Sequence, residues 1–144
     1  MPHISVIIPV YNAGNYIVDT LNSVLQQTLK DIEVIVVNDG SNDQSLAECY
    51  RLQEIDKRII IINQDNQGVS KARNVGKQNA TGDYIIFIDA DDELDCRMLE
   101  ILYTQARKTD SDISVCGVDR IFEKKQEEKK KYNKGQTGNS VWLK

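Results

Sequence analysis

Residues 4–10, with the sequence Ile-Ser-Val-Ile-Ile-Pro-Val, decide the fold class. Isoleucine and valine fill this segment almost without interruption, rather than alternating with polar residues. Such a run predicts a β-strand that is buried on both faces, which is typical of the interior of a parallel sheet. Similar runs return at residues 32–37, 59–62 and 84–88, and a fifth begins at Ile113.

Amphipathic segments separate these predicted strands. Helices are expected over residues 15–27, 43–55, 69–79 and 94–108, because their apolar residues recur on one helical face. The alternating order predicts an α/β fold with a Rossmann-like, open, twisted and mostly parallel sheet covered by helices on both faces. In such sheets ligands bind outside the carboxyl ends of the strands, so the residues that follow each strand are the candidates for a site.

The charge of the chain is distributed unevenly. The 144 residues include 18 basic and 22 acidic side chains, which gives a formal net charge of −4. Residues 123–134 contain six lysines and three glutamates, so the rest of the chain carries a charge of −7. We therefore predict one globular domain over residues 1–122 and a charged tail or connector over residues 123–144.

Composition argues against several classes of protein. No apolar run approaches the ~20 residues that span a bilayer, and we expect no secretory signal. A net acidic chain is a poor binder of nucleic acid. Cys49, Cys96 and Cys116 form no CxxC pair. We interpret all three as small buried residues in a reducing compartment, and we expect a cytoplasmic location.

A cluster of carboxylates follows the fourth predicted strand. Asp89, Asp91 and Asp92 repel one another, and a divalent cation such as Mg²⁺ or Mn²⁺ would relieve this repulsion. The alternative is that some of these acids cap the following helix. Both interpretations hold if Asp92 or Glu93 caps the helix while Asp89 and Asp91 face a ligand.

Three further residues fall at the same predicted edge. Asp39 could accept hydrogen bonds from a ligand, or it could cap the next helix within a turn. Tyr11 could stack on a base, or it could pack as an ordinary rim aromatic. Arg73 could clamp a diphosphate beside a helix N-terminus, or it could pair with a nearby acid.

Other ligand-binding motifs are missing from the sequence. The first strand-to-helix turn, residues 10–14, is not GxGxxG, and the chain has no GxxxxGK[ST] motif. A phosphatase with Asp89 as its nucleophile is a further alternative, but it would leave Tyr11, Asp39 and Arg73 unexplained together.

Four sequence blocks, in this order, resemble those of the family 2 glycosyltransferases, which have the GT-A fold. They are SVIIPVYN at residues 5–12, VVNDGS at 36–41, NQGVSKARNVG at 66–76 and GDYIIFIDADD at 82–92. The resemblance covers about residues 3–120. Asn38 stands where the family often has a second aspartate.

This resemblance implies a nucleotide-sugar donor, commonly a UDP-sugar, and a Mn²⁺ or Mg²⁺ ion. It implies that Pro9 and Tyr11 line the base pocket and that Asp39 accepts from the base N–H. It also implies that Asp89 contacts the ribose and that Asp91, with Asp89, holds the metal. The donor-binding residues implied by the family are Pro9, Tyr11, Asp39, Arg73, Asp89 and Ala90.

The resemblance also implies an acceptor-binding half that supplies an acidic general base. Only 53 residues follow Asp91, and none of their acids matches the family pattern for that base. We therefore expect the base beyond Lys144, and we expect residues 123–144 to lead to the acceptor half. The implied activity is inverting transfer of a sugar to a saccharide or lipid-linked acceptor at the inner face of the membrane. The alternative is a non-catalytic module that binds nucleotide sugars.

Overall fold

The computed structural model describes residues 1–119 and 138–141. Strands and helices alternate through the first 109 residues, as predicted. A second, separate pair of strands, β5 (Val115–Val118) and β6 (Gly138–Val141), follows them. The alternating elements are β1 (Ile4–Val10), α1 (Ile17–Leu25), β2 (Ile32–Asp39), α2 (Ser45–Ile55), β3 (Ile59–Gln64), α3 (Val69–Asn79), β4 (Tyr84–Phe87) and α4 (Met98–Thr109).

The main sheet has four parallel strands in the order β3-β2-β1-β4. Strand β1 lies between two partners, and Ile4 pairs with Ile32 on one side and with Tyr84 on the other. All seven residues of β1 are buried. The uninterrupted apolar run at residues 4–10 is therefore explained by burial on both faces of a parallel sheet.

Helices cover both faces of the sheet, which confirms the predicted fold class. Helices α1, α2 and α4 pack on the face that contains Val6 and Ile8, while α3 packs on the opposite face against Ile7 and Ile35. Within the described residues, no helix is long and apolar enough to cross a membrane.

Gly76 allows α3 to lie close to β1. A Cβ atom at this position would be 2.3 Å from Cγ2 of Ile7, well inside van der Waals contact. We expect Gly76→Ala to lower the free energy of unfolding by about 1–3 kcal/mol, because the packed sheet has no room for a methyl group. Urea unfolding measures the change, with Gln78→Ala on the exposed side of α3 as the control. A more stable Gly76→Ala protein would show that helix propensity outweighs the clash.

Two predicted elements differ from the structure. The predicted fifth strand exists as β5, but it pairs antiparallel with β6 and does not join the parallel sheet. Strand β6 falls within residues 123–144, where we expected a connector, and most of that segment lies outside the described residues. Helix α4 begins at Met98 rather than Leu94, because Leu94 is buried in the core and the backbone of residues 94–96 is bonded to the α1 segment.

The cysteines follow the prediction only in part. Cys49 is buried, and burial, followed by the charges of Glu48 and Asp43, raises the pKa of its thiol to about 12. Cys116 is half-buried. Cys96 is exposed, which contradicts its interpretation as a buried residue, since it lies in the loop before α4 rather than inside a helix.

Candidate functional site

A pocket of about 250 Å³ opens at the carboxyl edge of the sheet. It lies where the chain leaves β1 and β2 and where α3 begins, as expected for an open parallel sheet. Three predicted site residues, Pro9, Tyr11 and Asp39, line it. The remaining lining residues are Val10, Asn66, Gly68 and Val69.

Asp39 is the buried carboxylate of this pocket and is 3% exposed. Its Oδ1 accepts hydrogen bonds from the Gln64 side-chain amide at 2.7 Å and from the Gln67 N–H at 2.8 Å. Its Oδ2 accepts from the Gly68 N–H at 2.8 Å. Asp39 therefore fixes the loop that enters α3. Our alternative interpretation, that Asp39 caps α2, is wrong.

The hydrogen bonds to Asp39 keep it ionised. Burial alone would raise its pKa, but the bonds from Gln67, Gln64 and Gly68 outweigh burial and lower the pKa below 3.8. A carboxylate offers about four lone-pair positions, and the protein uses three here. The fourth position, on Oδ2, has no donor within the described residues.

Two glycines shape the wall of the pocket. Gly68 has φ +89° immediately before α3, a left-handed conformation that residues with a Cβ rarely adopt. Gly40 has φ +71°, and a Cβ there would lie 2.8 Å from the Asn66 backbone nitrogen. The loops after β2 and β3 can therefore approach each other beside Asp39.

The loop that carries Tyr11 is tied to the loop after β2. Asn12 has φ +50°, its N–H donates to Ser41 Oγ at 3.1 Å, and its Oδ1 accepts from the Asn42 N–H at 2.8 Å. The left-handed backbone at Asn12 follows Tyr11 directly, and the Tyr11 side chain is 52% exposed at the pocket. The sequence did not predict these ties, although an Asn-rich turn is a known signal for this conformation.

Asp43 holds the same two loops at a second point. Its Oδ2 accepts from the Gly14 N–H at 2.8 Å, and its Oδ1 accepts from the Ser45 N–H at 3.0 Å where α2 begins. Burial would raise the pKa of Asp43, but the hydrogen bonds from Ser45 and Gly14 lower it below 3.8.

The lowered pKa values of Asp39 and Asp43 predict a loss of stability in acid. Their contribution is complete above the unfolded-state pKa near 3.8, and it is lost as the pH falls through the lower folded-state values. We expect the free energy of unfolding to drop more steeply with acidification in the wild type than in the double variant Asp39→Asn/Asp43→Asn. Urea unfolding at a series of pH values measures both slopes, and equal slopes would contradict the assignment.

Arg73 pairs with Asp89, which agrees with our interpretation that Arg73 pairs with a nearby acid. Arg73 Nη2 donates to Asp89 Oδ1 at 2.6 Å, which joins α3 to the end of the β4 segment. Arg73 Nε is buried and has no hydrogen-bond partner within the described part of the chain. The guanidinium therefore has one donor that no described group satisfies.

The acidic loop, residues 89–97, lies between β4 and α4. Asp91 and Asp92 are exposed, and partial desolvation followed by the charges of Asp89 and Asp91 raises the pKa of Asp92. The prediction that Asp92 or Glu93 caps the following helix is wrong, because α4 begins only at Met98. No group of three acidic, histidine or cysteine side chains within residues 1–119 is arranged as a complete metal site.

The parallel sheet and the pocket at its carboxyl edge define an α/β protein of the class that binds ligands outside the carboxyl ends of the strands. The family model described as "Glycosyl transferase family 2" matches residues 5–143. The chain therefore belongs to glycosyl transferase family 2.

Relatives from Streptococcus pneumoniae serotype 4 (strain ATCC BAA-334 / TIGR4) share substantial identity with this chain. Glycosyltransferase GlyA is 46% identical over 112 residues, which cover 78% of this chain and 16% of GlyA. Glycosyltransferase GlyG is 39% identical over 113 residues, which cover 78% of this chain and 38% of GlyG. The chain thus spans less than two-fifths of either relative.

Solved structures share the fold. S. aureus TarS 1–349 in complex with UDP-GlcNAc has a TM-score of 0.71 at 32% identity, with 78% of this chain and 33% of that chain covered. The mannosyltransferase PcManGT from Pyrobaculum calidifontis, in complex with GDP-Man and Mn²⁺, has a TM-score of 0.63 at 27% identity. The matched region covers 67% of this chain and 29% of PcManGT.

Proposed function

We propose that this chain is the donor-binding part of a glycosyltransferase that moves a sugar from a UDP-sugar to an acceptor hydroxyl. The pocket that contains ionised Asp39 beside Tyr11 carries this proposal. Val69, the first residue of α3, lines this pocket, and Arg73 lies one turn further along the same helix. Asp89 and the acidic loop follow β4, which neighbours β1 in the sheet. The structures with bound UDP-GlcNAc and GDP-Man support a nucleotide-sugar ligand for this fold.

The proposed base site uses Asp39, Tyr11 and Pro9. The free lone-pair position on Asp39 would accept the N3–H of uracil, and the low pKa of this carboxyl keeps it an acceptor at neutral pH. The exposed ring of Tyr11 offers a face on which a base can stack. Val69, which is 51% exposed, lines the same pocket and adds apolar surface.

The proposed diphosphate site uses Arg73, Asp89, Ala90 and Asp91. Oxygen donors such as Asp89 and Asp91 suit Mn²⁺ or Mg²⁺, which commonly take one or two carboxylates and complete their shell with phosphate oxygens and water. Two aspartates without a third protein ligand therefore fit a metal that binds together with the nucleotide. When bound, this ion would supply Lewis-acid stabilisation of the leaving diphosphate.

Arg73 has a separate part in the proposed site. It holds Asp89 through Nη2, and its side chain is 37% exposed, so the guanidinium can both orient the carboxylate and donate from another N–H to a phosphate oxygen. The pair is partly exposed, so a ligand has access to it.

The acceptor side of the reaction is proposed from family membership. We infer an acceptor hydroxyl on a saccharide or a lipid-linked carrier, inverting chemistry, and action in cell-surface polysaccharide or glycoconjugate synthesis at the cytoplasmic face of the membrane. None of the described acids is assigned as the general base.

Calorimetric titration tests donor binding. We expect UDP to bind in the presence of Mn²⁺, to bind much more weakly in EDTA, and to bind more tightly than GDP or ADP. Equal affinity for the three nucleoside diphosphates would contradict the proposed base site. No binding of UDP with Mn²⁺ present would overturn the proposal as a whole.

A release assay separates an enzyme from a binding module. We expect the full-length gene product to release UDP from one member of a panel of UDP-sugars when a suitable acceptor is present. Binding of UDP-sugars without any release or transfer by that protein would instead support a non-catalytic nucleotide-sugar module.

A further inference from the structure

We propose that Thr20 of α1 is a positioning residue that holds the acidic loop in the geometry required to bind metal and diphosphate. Its contact is with the backbone of Ala90, the residue between Asp89 and Asp91. This inference rests on the proposed function, because it assigns a support to the metal and diphosphate site described there.

The hydroxyl of Thr20 makes a buried hydrogen bond across the fold. Thr20 Oγ1 donates to the Ala90 carbonyl oxygen at 2.9 Å, and the two residues are 1% and 9% exposed. Threonine hydroxyls inside helices often bond to a carbonyl of their own helix instead. Here the donor is directed to a residue 70 positions later in the chain, at the point where the carboxylates project.

Two more side chains in this part of the chain fix the rest of the loop. Ser23 Oγ accepts from the Leu94 N–H at 3.1 Å. Gln27, which is fully buried just after α1, donates to the Asp95 carbonyl oxygen at 2.7 Å and accepts from the Leu99 N–H at 3.0 Å. Thr20 and Ser23 on α1, with Gln27 just beyond its end, therefore form a polar stripe that faces the acidic loop.

This stripe explains how three neighbouring carboxylates can be held in one short turn. Asp89, Asp91 and Asp92 repel one another, and a loop held only by its ends would spread to separate them. The hydrogen bond from Thr20 to the Ala90 carbonyl oxygen opposes this spreading, because Ala90 lies between Asp89 and Asp91. Partners of this kind orient metal ligands, and their removal typically weakens metal affinity 10–100-fold.

The variant Thr20→Val tests the role of the hydroxyl with almost no change of shape. We expect the dissociation constant for UDP in Mn²⁺ to rise about 10-fold, because the aspartates no longer hold their relative positions. The dissociation constant in EDTA should stay unchanged, because the base pocket is untouched. Thr20→Ser keeps the hydroxyl, so Mn²⁺ should increase the affinity of this variant for UDP almost as much as it does in the wild type.

Hydrogen exchange without ligand gives an independent readout. The Asp92 N–H donates to the Asp89 carbonyl oxygen at 3.1 Å inside the acidic loop. We expect this amide to exchange faster in Thr20→Val than in wild type. Thr28→Val is the matched control, because it removes a hydroxyl that donates to Glu100 on α4 rather than to the loop.

A second control separates positioning from general destabilisation. Ile59→Val shortens a buried side chain on β3, at the far edge of the sheet, and lowers stability modestly. It should leave the ratio of UDP affinities in Mn²⁺ and in EDTA at the wild-type value. The inference is overturned if Thr20→Val keeps the wild-type ratio or weakens binding equally in both conditions. Failure of wild type to bind UDP with Mn²⁺ would instead refute the proposed function, and the inference with it.

Discussion

Asp39→Asn is expected to weaken UDP binding about 100-fold, because the pocket loses its only ionised acceptor within the described residues. The asparagine amide would direct an N–H group toward donors that now bond to the carboxylate. The Gln67 and Gly68 N–H groups bond to different oxygens of Asp39, so in the variant one of them would face the NH2 group of the asparagine. We therefore also expect the free energy of unfolding to fall by about 2 kcal/mol. Calorimetry and urea unfolding measure the two effects.

Asp43→Asn is the matched control for this experiment. Asp43 also accepts backbone N–H bonds at the carboxyl edge and also has a lowered pKa, but it does not line the pocket. It should lose stability while keeping most of its affinity for UDP. Near-wild-type binding of UDP by Asp39→Asn would show that this carboxylate supports the loop before α3 and takes no part in base recognition.

Asp91→Ala is expected to abolish the effect of Mn²⁺ on UDP binding. Removal of a direct metal ligand should weaken binding at least as much as removal of a group that orients it. We therefore predict that the affinity for UDP in Mn²⁺ falls about 100-fold. In EDTA the affinity should be unchanged or slightly higher, since a negative charge near the diphosphate has been removed. Titrations of UDP in Mn²⁺ and in EDTA give both values.

Glu93→Ala controls for the charge of the acidic loop. It removes one exposed carboxylate two residues from Asp91 and should preserve the metal effect. A comparable loss in Glu93→Ala would indicate that Mn²⁺ responds to the total charge of the loop. Such a result would count against coordination by Asp91.

The sequence predicted the main sheet well because burial on both faces leaves a strong signature. Residues 4–10 and 32–37 are nearly all apolar, and the strands they form pair in register in the middle of the sheet. The signal at Ile113 was weaker. Residues 113–116 include only three apolar side chains, which is too few to specify whether the strand joins the parallel sheet. Strand β5 instead pairs with β6, which is distant in sequence.

The sequence also located the candidate site, because strand ends of a parallel sheet meet at one edge. It placed Pro9, Tyr11 and Asp39 together, and one interpretation paired Arg73 with an acid. It could not choose the partners of Asp39, which come from the end of β3 and the loop before α3 rather than from α2.

Contacts between residues far apart in sequence account for the features that the sequence did not predict. The Thr20 hydroxyl is not recognisable as a support for the acidic loop until the fold brings α1 beside Ala90. In sequence, Thr20 is one more polar residue on an amphipathic helix. The late start of α4 has the same origin, since Ser23 accepts from the Leu94 N–H and Gln27 donates to the Asp95 carbonyl oxygen, which holds residues 94–95 outside the helix.

A crystal structure of the protein with UDP and Mn²⁺ tests the central claim most directly. The account predicts uracil in the pocket at Tyr11, with its N3–H directed to Asp39, and Mn²⁺ bound between Asp91 and the diphosphate. Placement of the nucleotide away from the carboxyl edge of the sheet, or a metal that does not contact Asp91, would contradict it.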